Sequence, residues 1–208
     1  MEIIPAINAP DFSTVKERLE EASKWASWVH FDIADGVFTS HITWQNPRDL
    51  LSISTPLKRE VHLMIKDPEK AIGDWLEAGV DRIIFQMETL KNFDELFNFC
   101  HQRGVEVGLS IVPETSISVL NPYILKADLI HILSVEPGKS GQKFMVDVLI
   151  KIKSLKDQFP NLKIEVDGGI NPETAKLAKE AGADIVVSGS YIFNSAMPQQ
   201  AFNELRNI

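Results

Sequence analysis

Short apolar runs alternate with longer amphipathic stretches along the whole chain. The runs Ile3–Asn8, Trp28–Ile33, Arg59–Ile65, Arg82–Gln86, Glu106–Val112, Leu129–Val135, Lys163–Asp167 and Ile185–Ser188 are rich in Ile, Val, Leu and Phe and predict strands. Helical patterns fall between them at Ser13–Ala26, Pro47–Ile53, Pro68–Ala78, Phe93–Arg103, Ser116–Leu120, Met145–Gln158, Pro172–Ala181 and Pro198–Arg206. Asn46-Pro47, Asp67-Pro68 and Asn171-Pro172 each place a capping side chain before a proline at the first helical position. Gly79, Gly104 and Gly182 sit where helices should stop. A weak internal echo follows the same plan. Ala78-Gly79-Val80-Asp81 before Arg82-Ile83-Ile84 resembles Ala181-Gly182-Ala183-Asp184 before Ile185-Val186-Val187, and Lys126-Ala127-Asp128-Leu129-Ile130 is a looser copy.

Eight strands alternating with eight helices predict an α/β fold with a parallel sheet. At about 26 residues per unit, residues 1–208 fit a single-domain (β/α)8 TIM barrel near its lower size limit. The alternative is an open doubly wound sheet, which usually carries a Gly-rich first βα turn. Here that turn reads Asn8-Ala9-Pro10-Asp11, without glycine.

Composition narrows the function classes. Hydrophobic residues at 44% and charged residues at 24% are globular values, which exclude disorder and fibres. A net charge of -8 argues against a nucleic-acid surface. It leaves room for a small anionic substrate, because helix N-termini and bound cations are locally positive. The single Cys100 cannot form an internal disulfide, no apolar run suits a membrane span, and the N-terminus lacks a signal-peptide pattern. A cytoplasmic protein that binds neither membrane nor nucleic acid is expected.

Polar residues interrupt three strands with one parity. Successive side chains alternate faces, so His30, Asp32 and Ala34 share one face while Val29, Phe31 and Ile33 share the other. The third strand puts Glu60, His62 and Met64 inward, and the seventh does the same with Glu165 and Asp167. Each polar residue alone reads as an ordinary strand end or a cap. Together, His30, Asp32, His62 and Asp167 lie near the C-terminal ends of their strands, the active-site end of such barrels. Two imidazoles and two carboxylates form a plausible set for one divalent metal ion, Zn, Fe, Mn or Co. His41, His101 and His131 lack partners of suitable spacing, and Cys100 reads as a small hydrophobe.

Anion signals fall at the same end. Gly168-Gly169 follow the seventh strand just before a helix, and Gly189-Ser190 follow the eighth. The loops after these two strands form the usual phosphate site of the fold. The loop Glu136-Pro137-Gly138-Lys139-Ser140-Gly141-Gln142 reads as a lid. A cation beside a sugar phosphate would polarise a carbonyl. Asp32 and Asp167 could then exchange a proton with the adjacent carbon on its two faces, one as base and the other as acid.

These segments resemble the ribulose-phosphate 3-epimerase family along nearly the whole chain. The resemblance is carried by Ile4-Pro5-Ala6-Ile7, His30 through Phe38, Val61-His62-Leu63-Met64, Val107-Gly108-Leu109, Ser134 through Gly138 with Gly141-Gln142-Lys143-Phe144, Glu165 through Ile170, and Ala181 through Ser190. It implies a (β/α)8 barrel, a divalent metal on His30, Asp32, His62 and Asp167, and Asp32 and Asp167 as the acid/base pair inverting C3 of D-ribulose 5-phosphate. It implies substrate contacts from His62, Met64, Gly138, Lys139, Ser140, Gly141, Gly168, Gly169, Gly189 and Ser190, and a homo-oligomer. The chain departs from the family pattern at Ala6 (a serine there), at Ala34 (a methionine), in Phe38-Thr39-Ser40-His41 and at Lys139-Ser140. Alternatives are a 3-epimerase of another ketose phosphate, such as a hexulose 6-phosphate, and a non-catalytic phosphosugar-binding barrel. A barrel aldolase or decarboxylase would commonly need a Lys near the C-terminal end of a strand, and the sequence places none there.

Overall fold

The computed structural model describes residues 1–208. Eight parallel strands close into a barrel in sequence order. They are β1 (Glu2–Ile7), β2 (Trp28–Ala34), β3 (Lys58–Met64), β4 (Arg82–Gln86), β5 (Glu106–Ile111), β6 (Leu129–Leu133), β7 (Ile164–Asp167) and β8 (Ile185–Ser188). β1 pairs with both β2 and β8, which closes the ring. The helices are α1 (Phe12–Ala22), α2 (Pro68–Glu77), α3 (Phe93–His101), α4 (Val148–Gln158), α5 (Pro172–Ala181), α6 (Ser190–Phe193) and α7 (Pro198–Arg206). The expected single-domain (β/α)8 barrel is therefore the observed fold, and no helix is long and apolar enough to cross a membrane.

The two strand faces bury different chemistry. One set of alternate residues, including Val29, Phe31, Ile33, Val61, Leu63, Ile83, Phe85, Ile130 and Val166, joins helix residues such as Leu19, Ile72 and Trp75 in a 45-residue apolar layer. The barrel interior holds a second, small cluster of Ile4, Ala6, Ile84, Leu129, Ile185 and Val187. The interior also buries a polar set closed to solvent: His30, Glu60, His62, Arg82, Gln86, Ser110, His131 and Glu165. Uncompensated, such burial is costly, so the interior is organised by hydrogen bonds and charge pairs.

The internal echo has a structural cause. Asp81, Asp128 and Asp184 each immediately precede an even-numbered strand, and each side chain accepts a hydrogen bond from a backbone N–H of the strand before. Those donors are Arg59, Val107 and Ile164, at 2.8, 2.7 and 2.8 Å. The repeated Asp ties the lower ends of three neighbouring strand pairs together.

Several expected elements differ. The segments after β2 and β5 are 3₁₀ turns, Pro47–Ser52 and Ile117–Leu120, rather than α-helices. α1 stops at Ala22, because Lys24 and Trp25 make tighter i−3 bonds and Trp25 turns onto Phe202, ring centroids 4.7 Å apart. α4 begins at Val148 rather than Met145, because the turn before it closes through tighter i−3 bonds, Val148 N–H to Met145 O, Leu149 N–H to Val146 O and Ile150 N–H to Asp147 O. Asn171 caps α5 in a capping box as expected. Asn46 and Asp67 do not cap. Asn46 donates to Asp49, and Asp67 pairs with Lys70 and Lys91. Gly79, Gly104 and Gly182 all take left-handed backbone at the helix ends.

Candidate active site

The upper end of the barrel opens into a pocket lined by strand ends and loops. Its lining includes Asp32, Met64, Gly138, Lys139, Ser140, Gly141, Asp167, Gly168, Gly169, Gly189 and Ser190. Thus strands β2, β3, β7 and β8 and the β6 loop converge there. Ala6 and Asn8 also line it. His30 and His62 lie beneath, fully buried. His62, expected also to touch substrate, is not part of the lining.

Each imidazole is tied through one nitrogen to a neighbouring strand. His30 meets Glu60 through Nδ1 at 2.6 Å and Asp32 through Nε2 at 3.3 Å. His62 meets Gln86 through Nε2 at 2.8 Å, leaving Nδ1 without a hydrogen-bond partner and 3.9 Å from Asp32. Asp32 also accepts a long bond from Asn8 Nδ2. A ring nitrogen fixed from behind while its other nitrogen faces inward is the usual posture of a metal-binding imidazole.

His131 is a correction. The sequence left it without partners, yet it is fully buried in β6, with its ring centroid 4.5 Å from that of His62 and 5.8 Å from that of His30. Donor atoms of His30, His62, His131 and Asp167 all lie within 4.8 Å of one another. Strand parity was the available signal: His131 sits between Leu129 and Leu133, both inward-facing. His101 is different; it ends α3 and pairs with Asp128 at 2.7 Å.

Below the imidazoles lies a charged layer. Arg82 pairs with Glu60, with Glu106 at 2.8 Å and with Glu165 at 3.7 Å, and its guanidinium stacks over Trp28 at 4.2 Å. Glu165 has no hydrogen bond on either carboxyl oxygen. Its burial and the Glu60 charge push its pKa well above the usual range.

The two upper carboxyls are electrically distinct. Burial opposes ionisation of Asp32, but the hydrogen bond and charge of His30 outweigh it and hold Asp32 below the usual value. Burial and the charge of Asp32 push Asp167 up to about 8. Burial and the His30 charge take His62 down to about 4. Two acids whose environments separate their protonation are what acid/base chemistry requires.

Glycine permits the close packing around the loops. Gly168 and Gly169 have φ of 114° and 63°. A Cβ at Gly169 would stand 2.5 Å from Phe144 N, and one at Gly168 would stand 2.4 Å from Val135. The β6 loop is drawn together by Gln142, whose amide donates to Glu136 O and Lys139 O. Lys139 is the one cationic side chain in the lining.

A profile described as the Ribulose-phosphate 3 epimerase family matches residues 2–193. The chain is 38% identical to a ribulose-phosphate 3-epimerase of Chlamydia muridarum, covering 92% of this chain and 87% of that one. It is 33% identical to the Bacillus subtilis protein of the same name, covering 99% and 98%. Among solved structures, 3-hexulose-6-phosphate synthase from Salmonella typhimurium superposes with a TM-score of 0.71 at 15% identity, covering 100% of this chain and 97% of that one, a likeness of fold alone. With a profile match over almost the entire barrel and full-length relatives above 30% identity, the chain belongs to the ribulose-phosphate 3-epimerase family.

Proposed function

We propose that this enzyme inverts C3 of D-ribulose 5-phosphate to give D-xylulose 5-phosphate, with Asp32 and Asp167 as the acid/base pair and a divalent metal beneath them. The observation that carries the reading is the pocket's charge inventory: Asp32 and Asp167 are its only carboxylates. They come from β2 and β7, three strands apart around the ring. One carboxylate takes the C3 proton from one face of the sugar, and the other returns a proton to the opposite face. Reversing the reaction exchanges the roles.

The residues fit a cation. The unpartnered, buried Nδ1 of His62 faces the oxygen of Asp32, and His30 presents Nε2 to the same oxygen. Such donors suit Zn, Fe, Mn or Co, held by His30, Asp32, His62 and Asp167. When bound, the ion would supply positive charge to the carbonyl side of the substrate and stabilise an enediolate. The protein's own groups do the remaining work. Glu60 and Gln86 hold the imidazoles in their tautomers. Met64 and Leu133 supply apolar lining over the reacting carbons. The Gly138–Gly141 loop, Gly168-Gly169 and Gly189-Ser190 bring backbone to the phosphate, with Lys139 adding positive charge.

The test is deuterium incorporation at C3 in heavy water, run on D-ribulose 5-phosphate and a hexulose 6-phosphate. Faster exchange of the pentulose is expected. Exchange confined to the hexulose would move the substrate to the larger sugar, for which the small Ala6 in the lining leaves room. No exchange on either would leave a binding protein.

A further inference from the structure

We infer that His131 is an additional metal ligand in this site, oriented by Ser110, so that three imidazoles form its floor. The inference rests on the metal reading above. Nothing in the acid/base scheme uses His131 or Ser110, and neither touches the pocket.

His131 follows the same construction as the two other imidazoles. His30 on β2 is tied to Glu60 on β3, and His62 on β3 is tied to Gln86 on β4. His131 on β6 is tied through Nδ1 to Ser110 on β5 at 2.9 Å, and these two residues are register partners. In each case a neighbouring strand fixes one ring nitrogen and the other is left for the interior. The Nε2 of His131 is buried and has no hydrogen-bond partner. It lies 3.7 Å from Asp167 and 3.5 Å from Glu165. A buried nitrogen left without a partner is destabilising. Two of them, His62 Nδ1 and His131 Nε2, occur here on rings 4.5 Å apart. One cation satisfies both. An apolar filler at this point would not need the Ser110 contact.

The assignment changes the division of labour. The three imidazoles are closed to solvent, whereas the side chains of Asp32 and Asp167 retain 11% and 12% exposure. A floor of three nitrogens can hold the ion even when a carboxylate at the rim is altered. It also shifts the donor set toward borderline metals such as Zn and Co and away from Mn and Mg.

The experiment uses metal-stripped wild type, His131→Leu, Ser110→Ala and Asp167→Asn, titrated with Co(II), Zn(II) and Mn(II) against a chromophoric chelator. For His131→Leu, Zn and Co affinity is expected to fall about 100-fold or more, beyond the ~10-fold expected for Ser110→Ala, where only an outer partner is lost. Mn affinity should change least, the Co(II) visible spectrum should shift, and Asp167→Asn should retain its ion. A His131→Leu protein with wild-type affinity and Co(II) spectrum overturns the inference. A second measurement needs no variant at position 131: in wild type labelled with ¹⁵N-histidine, Zn should move three buried imidazole signals. Movement of only two overturns the inference while leaving the metal reading intact. Wild type that takes up no ion overturns both.

Discussion

Arg82→Met tests whether the charged layer under the imidazoles is an ion network that holds the barrel together. The side chain is 2% exposed, and Glu60 and Glu165 are fully buried. Met matches much of its length, so the cavity left is small and the main loss is electrostatic. Removing the cation leaves the buried Glu60 carboxylate with the His30 ring as its remaining partner. Breaking a buried pair by deleting one partner costs about 3–5 kcal/mol. That is a large share of the roughly 5–15 kcal/mol expected for a domain. Glu106, which also bonds Arg82, is half-exposed and adds little. Urea unfolding followed by circular dichroism gives the free energy, with the slope as a check that the transition is unchanged. Adding Glu60→Gln to Arg82→Met should recover about 1–2 kcal/mol, because the unpaired charge is gone while the amide can still accept from His30. A loss under about 1 kcal/mol for Arg82→Met, with an unchanged slope, would refute the network, because surface-like pairs alone cost that little.

Asp32→Asn and Asp167→Asn should each abolish C3 proton exchange with the far-UV spectrum unchanged; an active Asp167→Asn enzyme would sink the acid/base assignment. Gly169→Ala should lower stability by about 2–4 kcal/mol, combining left-handed backbone strain with a collision against Phe144 backbone; a thermal melt within a degree of wild type would contradict the packing. Cys100 is fully buried on α3, and burial raises its thiol to about 12. A disulfide-exchange reagent at pH 8 should therefore label it only after unfolding. Because the unfolded thiol ionises near 9 and the folded one does not, the stability contribution of Cys100 should decline as pH rises from about 9 toward 12. Comparing alkaline unfolding of wild type and Cys100→Ala checks the sign.

The fold was legible because alternation is a local property. Val29-His30-Phe31-Asp32-Ile33-Ala34 declares which face meets helices and which meets the interior, and the capped start of α5 needs only neighbours in sequence. What was misread depended on contacts from elsewhere. Asp67 has the right side chain before a proline, but Lys91, far along the chain, takes the carboxylate at 2.6 Å. The segment after β5 has helical composition, yet it forms only a four-residue 3₁₀ turn, Ile117–Leu120.

The site shows the same boundary more sharply. His30, Asp32, His62 and Asp167 could be grouped because each strand supplies two inward polar residues, so each advertises itself within a few positions. β6 supplies one. Leu129-Ile130-His131-Ile132-Leu133 looks like a buried strand that happens to contain a histidine. The residues that give it meaning are Ser110, 21 positions before it, and Glu165 and Asp167 on the next strand. Barrel closure puts β6 beside β7 and within ring-stacking distance of β2 and β3. Parity therefore tells which residues enter the barrel, but only the stagger of the strands tells which of them meet at one height. Between β6 and β7 that stagger lies in the backbone ladder, where the Ser134 N–H donates to Asp167 O at 2.7 Å and Leu133 is the register partner of Asp167. His131 enters the cluster because it pairs in register with Ser110 on one side and Glu165 on the other, a placement that no stretch of β6 alone could declare.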